Sequence, residues 1–178
     1  VGAPAPPIVV VMGVSASGKS STGRLLARRL RCPFVEGDDF HRATSIAKMA
    51  AGHPLDDEDR DPWLQSLADR IRDSSRAGHS AVIACSALKR RYRDRLRAAG
   101  PGVWFLHLAL DQQIARARLT GRTGHFMPAE LLASQYDTLE PLQADEPGLT
   151  VRADRDEKSV VGQAEEALAR FQADRART

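Results

Sequence analysis

The sequence predicts an α/β fold: one three-layer domain, residues 1–178, with a five-stranded parallel sheet between helices. Three observations predict it. Short, β-branched apolar runs alternate with amphipathic stretches of helical period, the pattern of strands buried on both faces and joined by crossover helices. A Gly-x-x-x-x-Gly-Lys-Ser segment, residues 13–20, joins the first run to the first helix. The length of 178 residues, with 42% hydrophobic and 28% charged side chains, suits a single globular core.

The elements follow in chain order. Residues 8–12 form the first strand, and the helix after the glycine-rich loop runs to about Leu30, where Pro33 breaks it. Phe34 and Val35 begin a second strand, and the polar segment 36–41 lies at its carboxyl end, the side on which ligands bind in open α/β sheets. A short helix over 45–51 is expected to turn Ile46, Met49 and Ala50 inward. Gly52, Pro54 and the acidic residues 56–59 read as a loop, with the next helix beginning at Asp61-Pro62. Leu64, Leu67, Ala68 and Ile71 give that helix its apolar stripe, and Gly78 stops it. Residues 81–85 are a third strand, and 86–89 turn into a helix carrying Leu88, Tyr92 and Leu96. Residues 103–110 are the fourth strand. A helix holding Ile114 and Leu119 follows, then a glycine-flanked loop, a helix over about 129–139, a fifth strand at 149–151 and a final amphipathic helix.

Composition narrows the classes. The net charge is only +3, from 26 basic and 23 acidic residues, which permits an anionic ligand without requiring a nucleic acid. Basic residues cluster at Lys89 to Arg97 on an amphipathic helix, where a solvated face is the ordinary explanation. Cys32 and Cys85 form no paired motif, so a reducing cytoplasm is expected, with Cys85 a small buried hydrophobe. No run approaches the roughly 18 apolar residues of a membrane span, and the proline-rich start reads as a lead-in, not a signal peptide.

The loop at 13–20 matches the phosphate-binding loop. Its backbone N–H groups would turn onto phosphate oxygens at the amino end of the following helix. The nucleotide-binding set is therefore Gly13, Val14, Ser15, Ala16, Ser17, Gly18, Lys19, Ser20 and Ser21, with Lys19 reaching the β- and γ-phosphates and Ser20 a ligand of Mg²⁺. ATP and Mg²⁺ are the implied cofactors.

Two further signals turn a nucleotide site toward a small-molecule kinase. Between the second and third strands the chain spends some forty residues on polar groups, an acceptor-binding flap over about 36–77. A hydroxyl acceptor needs a carboxylate near the phosphates, and Asp38, just past the second strand, is the candidate base; Glu36 or Asp39 could instead reach the metal through water. His41, Lys48, His53, Asp59, Arg60 and Trp63 are candidates to line the pocket of a polyhydroxylated, anionic acceptor, with Trp63 either a sugar platform or a packing residue. Arg118 and Arg122, four residues apart at the start of a lid over about 118–128, would bring guanidinium groups onto the nucleotide, Arg122 at the transferring phosphoryl.

With these residues in view, the chain resembles the gluconate kinases of the thermoresistant type, P-loop small-molecule kinases. The resemblance rests on Gly13-Val14-Ser15-x-Ser17-Gly18-Lys19-Ser20, Glu36-Gly37-Asp38-Asp39-Phe40-His41, and Ile46-x-Lys48-Met49-x-x-Gly52-x-Pro54-Leu55. It continues through Asp57-x-Asp59-Arg60-x-Pro62-Trp63-Leu64, Ala84-Cys85-Ser86-Ala87-Leu88-Lys89-x-x-Tyr92-Arg93-Asp94, His125-Phe126-Met127-Pro128 and Leu132-x-Ser134-Gln135. It implies a three-layer P-loop kinase fold, ATP-dependent phosphorylation of D-gluconate at its 6-hydroxyl, Mg²⁺, and a cytoplasmic homodimer with no nucleic-acid or membrane partner. By the same resemblance, Lys89 and His125 join the substrate contacts.

Three departures stand out. Ala16 occupies a place where that family usually has glycine, an exchange that a negative φ would accommodate. Residues 41–46 read His-Arg-Ala-Thr-Ser-Ile in place of His-Pro-x-x-Asn-Ile, and Glu36 replaces a common aspartate. The rival readings are a shikimate-like kinase, a nucleoside-monophosphate kinase, and a non-catalytic nucleotide- or nucleic-acid-binding module using the basic helix.

Overall fold

The computed structural model describes residues 4–121 and 128–178. Five strands, β1 (Ile8–Met12), β2 (Phe34–Glu36), β3 (Ala81–Ala84), β4 (Val103–Ala109) and β5 (Gly148–Arg152), form one parallel sheet in the order β2-β3-β1-β4-β5. The helices are α1 (Lys19–Leu30), α2 (Ala43–Ala50), α3 (Asp57–Arg76), α4 (Arg90–Ala98), α5 (Gln112–Thr120), α6 (Ala129–Thr138) and α7 (Glu157–Ala176).

The pleat of the sheet sorts its side chains into two cores. Ile8, Val10, Met12, Ile83 and Phe105 pack beneath α3 and α4 with Trp63, Leu67, Ile71 and Leu96. Val9, Val11, Val82, Trp104 and Leu106 face the other way, against Leu26 of α1 and Val161, Ala164 and Leu168 of α7. Every residue of β1 is buried, which explains its unbroken apolar run. The chain runs from β1 to β2 and β3 on one side and then crosses over to β4 and β5 on the other, so a crevice opens at the carboxyl end of β1, where the glycine-rich loop lies.

Helix α1 ends at Leu30 as expected, where Arg31 takes a left-handed conformation (φ 54°) and its N–H closes on the carbonyls of Ala27 and Arg28. Three other local expectations are corrected. In α2 the side chain of Ile46 points outward, 52% exposed, Ala50 is exposed and Met49 half-buried, while Ser45 is the buried position. The acidic residues after Leu55 are no loop. Asp56 caps α3, which begins at Asp57, in a reciprocal box: the Asp59 N–H donates to Asp56 Oδ1 at 2.8 Å and the Asp56 N–H to Asp59 Oδ2 at 3.0 Å. Asp57, Glu58 and Asp59 then sit where the helix dipole favours negative charge. Finally, α4 starts at Arg90, because Ala87 is left-handed (φ 44°) and Lys89 extended (φ −99°, ψ 145°).

That turn is held by a group the sequence did not single out. The Arg93 guanidinium and the Glu146 carboxylate are both wholly buried and form a two-pronged pair at 2.6 and 3.0 Å. Arg93 also donates to the carbonyls of Ala87 (2.9 Å) and Leu88 (3.3 Å), so one side chain ties the loop after β3 to the segment before β5. Cys85 is buried as expected, and desolvation pushes its thiol up to about 12. No helix among the described residues is long and apolar enough to cross a membrane.

Candidate active site

The loop between β1 and α1 departs at Gly13, whose φ of 145° and close approach to the Leu108 carbonyl (2.8 Å from where a Cβ would stand) admit no side chain. From there the chain passes through Ser15 and Ala16 to Gly18 at the start of α1. A cleft of about 580 Å³ opens over this loop, lined by Ser15, Ala16, Gly18, Lys19, Ser20 and Ser21, with Arg24 and Leu119 at its walls. Glu36 and Asp38 complete it from the end of β2. The sheet thus brings the loop lysine and two carboxylates from across β3 to one cavity.

Within the cleft, the Lys19 ammonium donates to the Val14 carbonyl at 2.9 Å. The Ser20 hydroxyl donates to Glu36 Oε2. A hydroxyl and a carboxylate in contact, beside a phosphate-sized cradle, are oxygen donors of the kind that hold Mg²⁺ together with nucleotide phosphates, so the residues present fit that ion. No group of three or more His, Cys, Asp or Glu residues that could cage a metal occurs among the described residues.

Ala16 is the departure that matters most. Its φ is +66°, not negative, so its methyl is carried in a conformation that favours glycine. Its carbonyl accepts from Arg118 at 3.1 Å, and the same guanidinium donates to the Ala153 carbonyl at 2.9 Å. Arg118 therefore ties the phosphate loop to the segment after β5 and lines a smaller cavity of about 260 Å³ with Ser17, Thr22 and Arg155. A second tether went unassigned in the sequence: Gln135 of α6 accepts from the Ser15 N–H at 2.7 Å and donates to the Ser15 hydroxyl at 3.1 Å. Its position in the Leu-x-Ser-Gln motif was the available signal.

Asp38 sits in a 3₁₀ turn, Gly37–Phe40, with its side chain 74% exposed to the cleft. Gly37 is pressed so tightly on the Ala84 carbonyl that a Cβ would lie 2.2 Å from it. The side chain of His41, an expected substrate contact, is turned inward. Its ring stacks on Trp63 at 4.4 Å and 11°, and its side chain is only 6% exposed. Burial lowers its pKa, opposed by Asp38 and aided by Arg60.

The expected acceptor cations do not line the cleft; they lie beside it on α2, α3 and the start of α4, each engaged by the chain itself. Lys48 pairs with Asp59 at 2.5 Å, a bond that raises the lysine's pKa and lowers the aspartate's. Lys89 pairs with Asp57 at 3.1 Å. Arg60 donates to the Leu55 carbonyl at 3.3 Å. Arg60, Lys89 and Arg91 surround the Tyr92 ring at 5.7, 5.8 and 5.6 Å, and the Tyr92 hydroxyl donates to Asp57. Arg122 and His125 lie outside the described residues.

The basic helix is not a free cationic surface. Arg90 meets Asp145 through two bonds (2.7 and 2.8 Å), Arg91 meets Asp57, Arg93 meets Glu146, Arg95 meets Asp61, and Arg97 lies 3.9 Å from Asp94. Every arginine of α4 thus faces a carboxylate.

Comparison with known proteins agrees with this geometry. Residues 8–142 match the family model described as an AAA domain. The chain is 44% identical to a gluconokinase of Gluconobacter oxydans, over 95% of its own length and 93% of that protein's. It is 43% identical to the thermoresistant gluconokinase of Escherichia coli, with 81% and 82% covered. The crystal structure of a gluconokinase from Sinorhizobium meliloti superposes with a TM-score of 0.87 at 41% identity, covering 96% of each chain.

Proposed function

The chain belongs to the gluconokinase family, and from that premise we propose that it transfers the γ-phosphoryl group of ATP to the 6-hydroxyl of D-gluconate, giving 6-phospho-D-gluconate and ADP. One observation carries the chemistry to this chain's own residues. Lys19 and Ser20 of the loop and Asp38 from beyond β2 line a single cleft of about 580 Å³.

In this reading the loop amides and Lys19 hold the β- and γ-phosphates in line with the acceptor. Asp38 takes the proton of the 6-hydroxyl as the new oxygen–phosphorus bond forms. The bond from the γ-phosphorus to the bridging oxygen breaks, and its electrons leave with ADP. Mg²⁺, held by Ser20 and through Glu36, supplies charge neutralisation on the phosphates when bound. Lys48, Arg60 and Lys89 are the cations available to the carboxylate and hydroxyls of gluconate once their present partners are exchanged. Arg118 braces the nucleotide loop. Arg122 and His125 complete the lid and acceptor contacts by resemblance, within one domain whose flap spans about 36–77 and lid about 118–128. The same resemblance supports a cytoplasmic homodimer, which light scattering in solution tests.

The rivals fare differently. The paired arginines of α4 give a nucleic-acid-binding module no open basic stripe. The decisive assay is ADP release with Mg²⁺-ATP and gluconate, shikimate, glucose or nucleoside monophosphates, for the native chain and Asp38→Asn. Turnover confined to gluconate and lowered at least about 100-fold in the variant is expected. Turnover on another acid with gluconate inert, or none at all with ATP still bound, refutes the proposal.

A further inference from the structure

We propose that His41 is a positioning residue for Asp38, not a contact to the acceptor, and that Trp63 of α3 holds it in place. The inference rests on the reading of Asp38 as the base.

The Asp38 side chain is 74% exposed, on a short 3₁₀ turn. A carboxylate so placed samples several rotamers, and only one presents an oxygen to a hydroxyl lying along the γ-phosphate. Trp63 is 1% exposed and its indole N–H donates to the Gly37 carbonyl at 2.8 Å, pinning the residue before Asp38. The ring of Trp63 then serves as the floor for His41, stacked at 4.4 Å. The His41 N–H donates to the Asp38 carbonyl at 3.2 Å, closing the turn. The imidazole is thereby fixed by the stack on one side and its backbone on the other.

Its two nitrogens have unequal prospects. Nδ1 is buried with no hydrogen-bond partner among the described residues, whereas Nε2 lies 3.8 Å from Asp38 Oδ1. A buried lone pair is less costly to strand than an ionised ring, and a neutral ring with its proton on Nε2 leaves the donor facing the carboxylate. A small rotation of Asp38 brings Oδ1 into hydrogen-bond distance, which leaves Oδ2 turned to the acceptor. The ring is only 6% exposed, and the edge it does not bury is the one that faces Asp38. Trp63 belongs to α3, the helix that also carries Arg60, so the base and an acceptor-side cation share one rigid support.

Steady-state kinetics of His41→Ala, His41→Gln and Asp38→Asn, with gluconate and Mg²⁺-ATP varied in turn, test the proposal. His41→Ala should lower kcat about 10- to 100-fold with the gluconate KM held within about twofold. His41→Gln, which returns an N–H donor near the Nε2 position, should recover kcat to within about tenfold of the native value. A raised gluconate KM with kcat retained would make His41 a substrate contact and overturn the inference, as would an alanine variant as fast as the native chain. Asp38→Asn with native turnover is the separate failure of the base reading itself. Should His41→Ala not fold, as judged by circular dichroism, Trp63→Phe keeps the stack and loses only the bond to Gly37. A fall in its kcat of about 3- to 10-fold at constant KM supports the proposal; an unchanged kcat refutes it.

Discussion

Arg93→Ala removes a guanidinium whose carboxylate partner is as deeply enclosed as itself. Four of its bonds are short enough to count firmly: two to Glu146, one each to the carbonyls of Ala87 and Leu88. The truncation strands the Glu146 charge in the interior, which costs about 3–5 kcal/mol, far above the ~0–1 kcal/mol of a surface pair. For a chain of this length, that corresponds to a fall in Tm of about 6–20 °C. Urea denaturation at neutral pH, followed by circular dichroism, reads the loss directly. The paired replacement Arg93→Met with Glu146→Leu should recover most of it, since no charge is left without a partner. Acid provides an independent reading. Burial alone would raise the Glu146 pKa, but the Arg93 bonds and the Gln143 N–H together take it below its ordinary 4.5. Its contribution is therefore present above pH 4.5 and lost as pH falls through the lowered folded value, and the apolar pair should lack that loss. A decrease below about 1 kcal/mol for Arg93→Ala would refute the reasoning.

Two other changes probe strain and burial. Ala16→Gly relieves a left-handed alanine, worth about 1–2 kcal/mol, against about 0.4–1 kcal/mol of added unfolded-state freedom. A small rise in the denaturation midpoint is expected, and a fall would show that the methyl packs usefully. His107 on β4 is buried with neither ring nitrogen partnered among the described residues, and desolvation followed by Arg93 lowers its pKa to about 4 from 6.5. The unfolded chain therefore takes up a proton before the folded one does, and stability falls as pH drops from 6.5 to about 4. At about 1.4 kcal/mol per tenfold change in proton affinity, the loss reaches about 3 kcal/mol. His107→Leu should flatten the stability profile over that window; an unaltered slope would count against the assignment.

How much of this was legible in the chain depends on the range of the interaction. The strands could be read because a strand buried on both faces needs a contiguous apolar run, and residues 8–12 or 103–109 supply one without reference to anything else. The phosphate loop was legible for the same reason: its amides, lysine and serine are neighbours in sequence. Asp38 could be placed because the carboxyl end of a parallel strand lies on the ligand side. The start of α3 was also written locally, in the Asp56–Asp59 capping box, but the acidic run was read as a loop.

Only the tertiary structure paired Arg93 with Glu146, 53 residues on, or Gln135 with Ser15, 120 residues away. It also turned Ile46 outward, gave Ala16 a positive φ, and stacked His41 on Trp63. The physical reason is common to all of these. Hydrophobic period and turn chemistry record which face of a segment avoids water, and they are carried by adjacent residues. A charged or polar side chain carries no mark of its partner, because that partner is set by which elements the closed sheet brings within about 3 Å.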